Sequence, residues 1–143
     1  MSQDQMNEAH AAVERIFEAW DRALGAKDLE AALALYAPDA TIESPLIPHL
    51  LGLERGICRG REEMRRFVEL VFQTQPAARK RFRTGYFSDG AKLMWEYPRA
   101  TPDGEQMDFV EVMELKDGLI QHHRVYWGWF GLEILKKGHQ RRS

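Results

Sequence analysis

The stretch QMDFVEVMELKDGLIQHHRVYWGW, residues 106–129, decides the fold. Apolar and polar residues alternate on both sides of Lys116-Asp117-Gly118, and period two over runs this long marks half-buried strands. So short a turn joins only antiparallel neighbours, so residues 106–115 and 119–129 form a hairpin. Alternation puts Met107, Phe109, Glu111, Met113 and Leu115 on one face and Asp108, Val110, Val112 and Glu114 on the other. The first face is the bulkier and more apolar, so it turns inward and carries Glu111 among large apolar side chains. On the second strand Leu119, Gln121, His123, Val125, Trp127 and Trp129 share one face, and Ile120, His122, Arg124 and Tyr126 the other. A three-residue turn with Gly118 left-handed pairs Leu115 with Leu119, which sets Glu111 opposite His123 and Phe109 opposite Val125. A two-residue Asp-Gly turn sets Glu111 opposite Arg124 instead.

Upstream, residues 81–87 and 91–97 alternate in the same way, and Ser88-Asp89-Gly90 and Thr101-Pro102-Asp103-Gly104 punctuate the meander. Earlier still the period becomes 3.6. Met6, Ala9, Val13, Ile16, Phe17, Trp20 and Leu24 recur three or four apart, which predicts a first helix stopped at Gly25. Asp28 caps a short second helix with Leu29, Leu33 and Tyr36 inward, closed by Ala37-Pro38-Asp39. Residues 41–44 read as a short strand. Residues 45–60 read as an apolar loop, broken by Pro48, Gly52 and Gly56 and suited to flap over a pocket. A third helix begins at Arg61, carries Met64, Phe67, Val68, Val71 and Phe72, and ends before Pro76. Helices first and strands afterwards make an α+β domain, its helices packed on one face of a bent antiparallel sheet.

The chain has 143 residues, room for one domain with a core of about 8–131 and a basic tail over 132–143, read as a frayed terminus. Twenty basic against 22 acidic residues leave a formal charge of −2, so no field recruits nucleic acid or an anionic membrane. No apolar run approaches the ~20 residues that span a bilayer. The polar, acidic N-terminus lacks a signal-peptide pattern, and a single cysteine, Cys58, forms no internal disulfide; both point to the cytoplasm.

With these residues in place the chain resembles the nuclear transport factor 2-like superfamily, in its SnoaL-like polyketide cyclase and ketosteroid isomerase branch. The matching text is Trp20, Ala23-Leu24 and Lys27-Asp28-Leu29, then Leu35 through Pro45, then Gly60-Arg61-Glu62-Glu63, then the hairpin from Glu111 to Trp127. The resemblance implies a cone, with a strongly curved antiparallel sheet wrapped around helices and an apolar cavity open at one end. It implies homodimers through the outer sheet face and a function argued from the cavity, since the superfamily spans isomerases, cyclases, dehydratases and non-catalytic modules. Where the steroid isomerases have a tyrosine on the first helix this sequence has Trp20, and where they have an aspartate base it has Ser44. Only Glu111 matches in type, so steroid isomerisation itself is not expected. Trp95 and Tyr97 match aromatic cavity positions, and His123, Val125 and Trp127 match lining positions.

Glu111 and His123 form a candidate acid–base pair. Burial disfavours the charged carboxylate, which is how such a group becomes a useful general acid near neutral pH. The competing reading is a structural pair in which two buried polar groups satisfy each other. Trp20, Tyr36, Ser44, Trp95, Tyr97, Phe109 and Trp127 are the candidate substrate-binding residues, and aromatic walls suit a flat hydrophobic ligand. His122 and His123 point to opposite faces and cannot chelate one ion, while His10, His49 and His139 are scattered. Neither metal nor cofactor is expected, and Cys58 has no nearby base that would make it a nucleophile. By parity Met94, Glu96, Val110, Val112, Ile120, Arg124 and Tyr126 face outward, too apolar for free solvent and suited to a symmetric dimer. The expected function is binding of a small hydrophobic, cyclic, polyketide- or steroid-like molecule, with cofactor-independent isomerase, cyclase or dehydratase chemistry. The alternative is a non-catalytic carrier or a dimeric interaction module.

Overall fold

A computed structural model describes residues 2–74, 85–100 and 106–142. In chain order the elements are α1 (Gln3–Ala26), α2 (Leu29–Leu33), β1 (Tyr36–Glu43), α3 (Leu46–Leu51), β2 (Ile57–Arg59) and α4 (Gly60–Thr74). There follow β3 (Phe87–Ser88), β4 (Lys92–Ala100), β5 (Gln106–Lys116), β6 (Leu119–Trp127) and α5 (Trp129–Arg142). The strands form one sheet in the order β2-β1-β6-β5-β4-β3. Helices on one side of a curved sheet make the α+β fold that the alternation and the helical period predict. Ser2 and Gln5 form a capping box at the start of α1, and Val13, Ile16, Phe17 and Trp20 turn its stripe into the core. Asp28 caps α2 through the Ala31 N–H at 3.1 Å. Met64, Phe67, Val68 and Phe72 bury the corresponding stripe of α4.

Several expectations are corrected. The sheet is mixed, because β1 runs parallel to β6 and antiparallel only to β2. The first helix runs past Gly25 and ends at Lys27, which is itself left-handed. Tyr36 opens β1 instead of closing the second helix. β1 carries a bulge between Tyr36 and Thr41, and Pro38, which has no N–H to give a ladder, lies within it. The greasy segment 45–60 is not a loop: it contains α3 and β2 and buries Ile47 and Cys58 completely. Trp129 starts α5 rather than ending the last strand, and the basic tail is helical to Arg142. The turn at 101–104 and most of the strand expected at 81–87 lie outside the described residues.

The β5–β6 register is a further correction. Asp117 and Gly118 both have positive φ, 54° and 77°, so the turn has two residues and Lys116 pairs with Leu119. A bulge at Gln121 then inserts one residue, so Leu115 pairs with Ile120 but Glu114 with His122. Glu111 therefore faces Val125, not His123 or Arg124, and Phe109 faces Trp127. The bulge restores the inward parity of His123, Val125 and Trp127 while turning Ile120 into the core, where it is fully buried. Ile120 is thus no part of the outer face.

Candidate functional site

The cavity lies between the helices and the inner face of β4, β5 and β6. It encloses about 80 Å³, within about 630 Å³ of space counted out through its open mouth into solvent. Phe67, Val68, Val71 and Phe72 of α4 wall one side; Tyr97, Phe109, Val125 and Trp127 of the sheet wall the other. Glu111 and His123 stand in this apolar lining beside the hydroxyls of Tyr36, Ser44 and Tyr97, and they are 3% and 1% exposed.

Diagonal neighbours across a strand pair share a face and lie within reach of long side chains. That brings His123 Nε2 to 2.8 Å from Glu111 Oε1. On the other side of the imidazole, Nδ1 lies 2.8 Å from the Tyr36 hydroxyl. Tyr36 reaches this spot because β1 pairs with β6 at Ile120 and because Arg61 Nε donates to the Tyr36 carbonyl at 3.0 Å. The Trp20 indole N–H donates to the same hydroxyl. Burial pushes the Tyr36 phenol well above its ordinary range, the Glu111 charge adds to that, and only the Trp20 bond opposes it, so Tyr36 keeps its proton.

These partners fix the direction of each hydrogen. An indole N–H only donates, so the Tyr36 oxygen accepts from Trp20 and gives its own proton to His123 Nδ1. Nδ1 is then the acceptor nitrogen, and Nε2 carries the ring hydrogen that goes to Glu111 Oε1. The relay runs Trp20, Tyr36, His123, Glu111. It ends at Glu111 Oε2, which is buried and has no hydrogen-bond partner among the described residues. An orphaned carboxyl oxygen in an apolar cavity can accept a proton when ionised and give one when protonated.

The remaining candidates divide. Trp20, Tyr36, Ser44, Tyr97, Phe109 and Trp127 all line the cavity. Ser44 Oγ also accepts from the Leu46 N–H at 3.1 Å, which holds the start of α3. Trp95 does not line the cavity: it is 1% exposed in the core, edge-on to Trp20 at 5.3 Å and to Phe17 at 5.4 Å. His122 points to the opposite face, between Thr41 and Glu43 Oε1 at 3.0 Å. Burial and the nearby Glu63 charge push the Cys58 thiol up to about 11, away from reactivity.

The family model described as SnoaL-like domain matches residues 13–123. The chain belongs to the SnoaL-like family. No curated protein matches it. Among solved structures, the SnoaL-like chain is similar to a nuclear transport factor 2-like protein from Anabaena variabilis ATCC 29413, at 14% identity and TM-score 0.69, covering 90% of this chain and 93% of that one. It is similar to a candidate ketosteroid isomerase from Kribbella flavida DSM 17836, at 21% identity and TM-score 0.63, over 82% and 78% of the two chains. It is also similar to TerC co-crystallized with polyporic acid, at 18% identity and TM-score 0.69, over 88% and 98%. At such identities the likeness is one of fold, that of the nuclear transport factor 2-like superfamily. Among the described residues of this SnoaL-like chain, no helix is long and apolar enough to cross a membrane.

Sequence reasoning missed part of the site. Phe67, Val68, Val71 and Phe72 read as core, because a helical period does not separate a residue that fills the core from one that lines a hole in it. Trp20 and Tyr36 read as ligand walls, and their hydrogen-bonding roles needed the parallel pairing of β1 with β6. No local sequence signal announces that pairing.

Proposed function

We propose that this SnoaL-like protein binds a small hydrophobic cyclic molecule, of polyketide or steroid type, and moves a proton on it with Glu111, without a cofactor. The observation that carries the reading is Glu111 Oε2, unpartnered at the cavity end of a relay whose other hydrogen bonds are directed. As a carboxylate, Oε2 takes a proton from a carbon beside a carbonyl; the C–H electron pair becomes a C=C bond and the C=O π pair moves onto oxygen, giving an enolate. Return of the proton at another carbon completes an isomerisation; its delivery to a departing hydroxyl completes a dehydration. His123 holds Oε1 so that Oε2 keeps one position, which is the geometric requirement for proton transfer.

The outer sheet face supports a homodimer. Met94 and Tyr126 are 43% and 53% exposed there, with Val110 and Val112 half-buried beside them. The buried lone cysteine suits a reducing cytoplasm.

The test of the ligand reading is binding of tetralin, a bicyclic hydrocarbon, followed by tryptophan fluorescence. Saturable binding by the wild type, lost in Leu46→Glu with its circular dichroism intact, is the expected result. Titration without saturation by both tetralin and a ring ketone in the wild type refutes a ligand cavity. Saturable tetralin binding with no proton exchange on any enolisable ring ketone supports a carrier instead of an enzyme.

A further inference from the structure

Glu111 Oε2 is not the only orphan in the cavity. Trp127 Nε1 is buried and has no hydrogen-bond partner among the described residues, although Trp127 lines the cavity. A buried N–H left unpaired is costly, and such groups persist in native proteins where something else completes them. The indole is also pinned. Phe109 meets it edge-on at 4.9 Å and 87°. On its other side Gly131 of α5 packs so close that a Cβ there would meet Trp127 Cε3 at 2.8 Å. Cε3 and Nε1 sit on opposite edges of an indole, so α5 holds the one edge and leaves the N–H edge turned away from it. A glycine at 131 is what that approach requires.

The register sets the spacing of the two orphans. Glu111 faces Val125, so His123 and Trp127 are its two diagonal neighbours on β6, one on each side. His123 occupies Oε1. Trp127 lies about one diagonal step from Glu111, roughly 7–8 Å along the backbone, within the span of one small ring system. One group is an obligate donor and the other is a carboxyl oxygen.

We propose that the Trp127 indole N–H donates to a carbonyl or enolate oxygen of the ligand whose acidic C–H or O–H meets Glu111 Oε2. The cavity thereby selects flat cyclic ketones and their enols over hydrocarbons of the same shape. This rests on the reading of the cavity as a ligand site and names the ligand class within it. Trp127 is the specificity-determining donor; Gly131 is a positioning residue that acts through it.

The test compares 2-tetralone, a ring ketone, with tetralin, which has the same rings and no oxygen. With wild-type protein the ketone should bind at least about tenfold more tightly, roughly the worth of one buried hydrogen bond. Of the four indole ¹⁵N–H resonances, that of Trp127, assigned by its loss in Trp127→Phe, should move downfield with the ketone and not with tetralin. This wild-type spectrum does not depend on any variant folding. In Trp127→Phe both probes lose wall contact alike, so the ratio of ketone to tetralin affinity should fall to about one, and Gly131→Ala should shrink that ratio by displacing the indole. Equal binding of ketone and tetralin by the wild type, or a ketone preference that survives in Trp127→Phe, overturns the proposal and leaves the ligand cavity standing. Failure of both probes to bind overturns the proposal together with the ligand reading.

Discussion

Removing a single oxygen from Tyr36 should unsettle the site more than changing the carboxylate of Glu111. The hydroxyl serves two buried groups at once: it accepts from Trp20 Nε1 and lies 2.8 Å from His123 Nδ1. Tyr36→Phe deprives both of that partner in a region where His123 is 1% and Tyr36 2% exposed. At about 1–3 kcal/mol for each buried group left unsatisfied, the cost is roughly 2–6 kcal/mol. Unfolding entropy of about 2.1 cal/mol/K per residue gives ~0.3 kcal/mol/K for this chain, so Tm should fall by about 7–20 °C. Glu111→Gln is the internal control. The amide oxygen still accepts from His123 Nε2, and the atom replaced at Oε2 had no partner among the described residues to lose. Its cost should stay within about 1 kcal/mol, or ~3 °C. Thermal melts followed by circular dichroism at one pH and scan rate compare the two directly. If Tyr36→Phe melts no lower than Glu111→Gln, the hydroxyl does not join Trp20 to His123 and the direction of the relay is wrong. If Glu111→Gln is instead the more damaging variant, Glu111 is half of a structural pair and the catalytic reading loses its ground.

The other expectations are shorter. The Tyr36 phenol titrates above its unfolded value of about 10, so the stability it contributes is complete below that pH and is lost as pH rises beyond it, where the unfolded chain ionises first. The fall in Tm from about pH 9 to 11 should therefore be steeper in the wild type than in Tyr36→Phe, and equal slopes would contradict the raised phenol. Cys58, fully buried and with its thiol pushed up to about 11, should resist a thiol reagent at neutral pH in the folded protein and react at once in denaturant; fast labelling of the native protein would show the site is open. Val112→Arg should shift the proposed homodimer to monomer in sedimentation, since an unpaired charge buried in an interface costs several kcal/mol. A wild type that sediments as a monomer at micromolar concentration would remove the dimer reading.

The inward face of residues 106–127 was legible because strand parity is a covalent fact: Phe109, Glu111 and Met113 point one way whatever their partners. Which residues touch across the hairpin was not legible. The turn at Asp117-Gly118 and the bulge at Gln121 each shift register by one, and bulges have no strong sequence mark. Glu111 and His123 meet all the same, because two compensating shifts preserve the shared face; Ile120, between them, is the residue that changes sides. The parallel contact of β1 with β6 was illegible for another reason. It joins residues about eighty apart in the chain, and Tyr36 sits close enough to a short helix to read as its last turn. Trp129 followed the alternation of the preceding strand until Gly128, after which α5 begins. Trp95 and Tyr97 share a strand face, yet only Tyr97 lines the cavity, because Trp20 and Phe17 fill the space in front of Trp95.

The claim that Glu111 moves protons on a bound ring ketone can be measured without knowing the natural substrate. In deuterium oxide the hydrogens beside the carbonyl of 2-tetralone exchange slowly, and a positioned base should speed this by roughly 10²–10⁴-fold. The expected result is exchange that saturates with 2-tetralone in the wild type and falls to the buffer rate in Glu111→Gln, a variant that still folds and still binds the ketone. Exchange at the same rate in the wild type, in Glu111→Gln and in buffer would contradict the account.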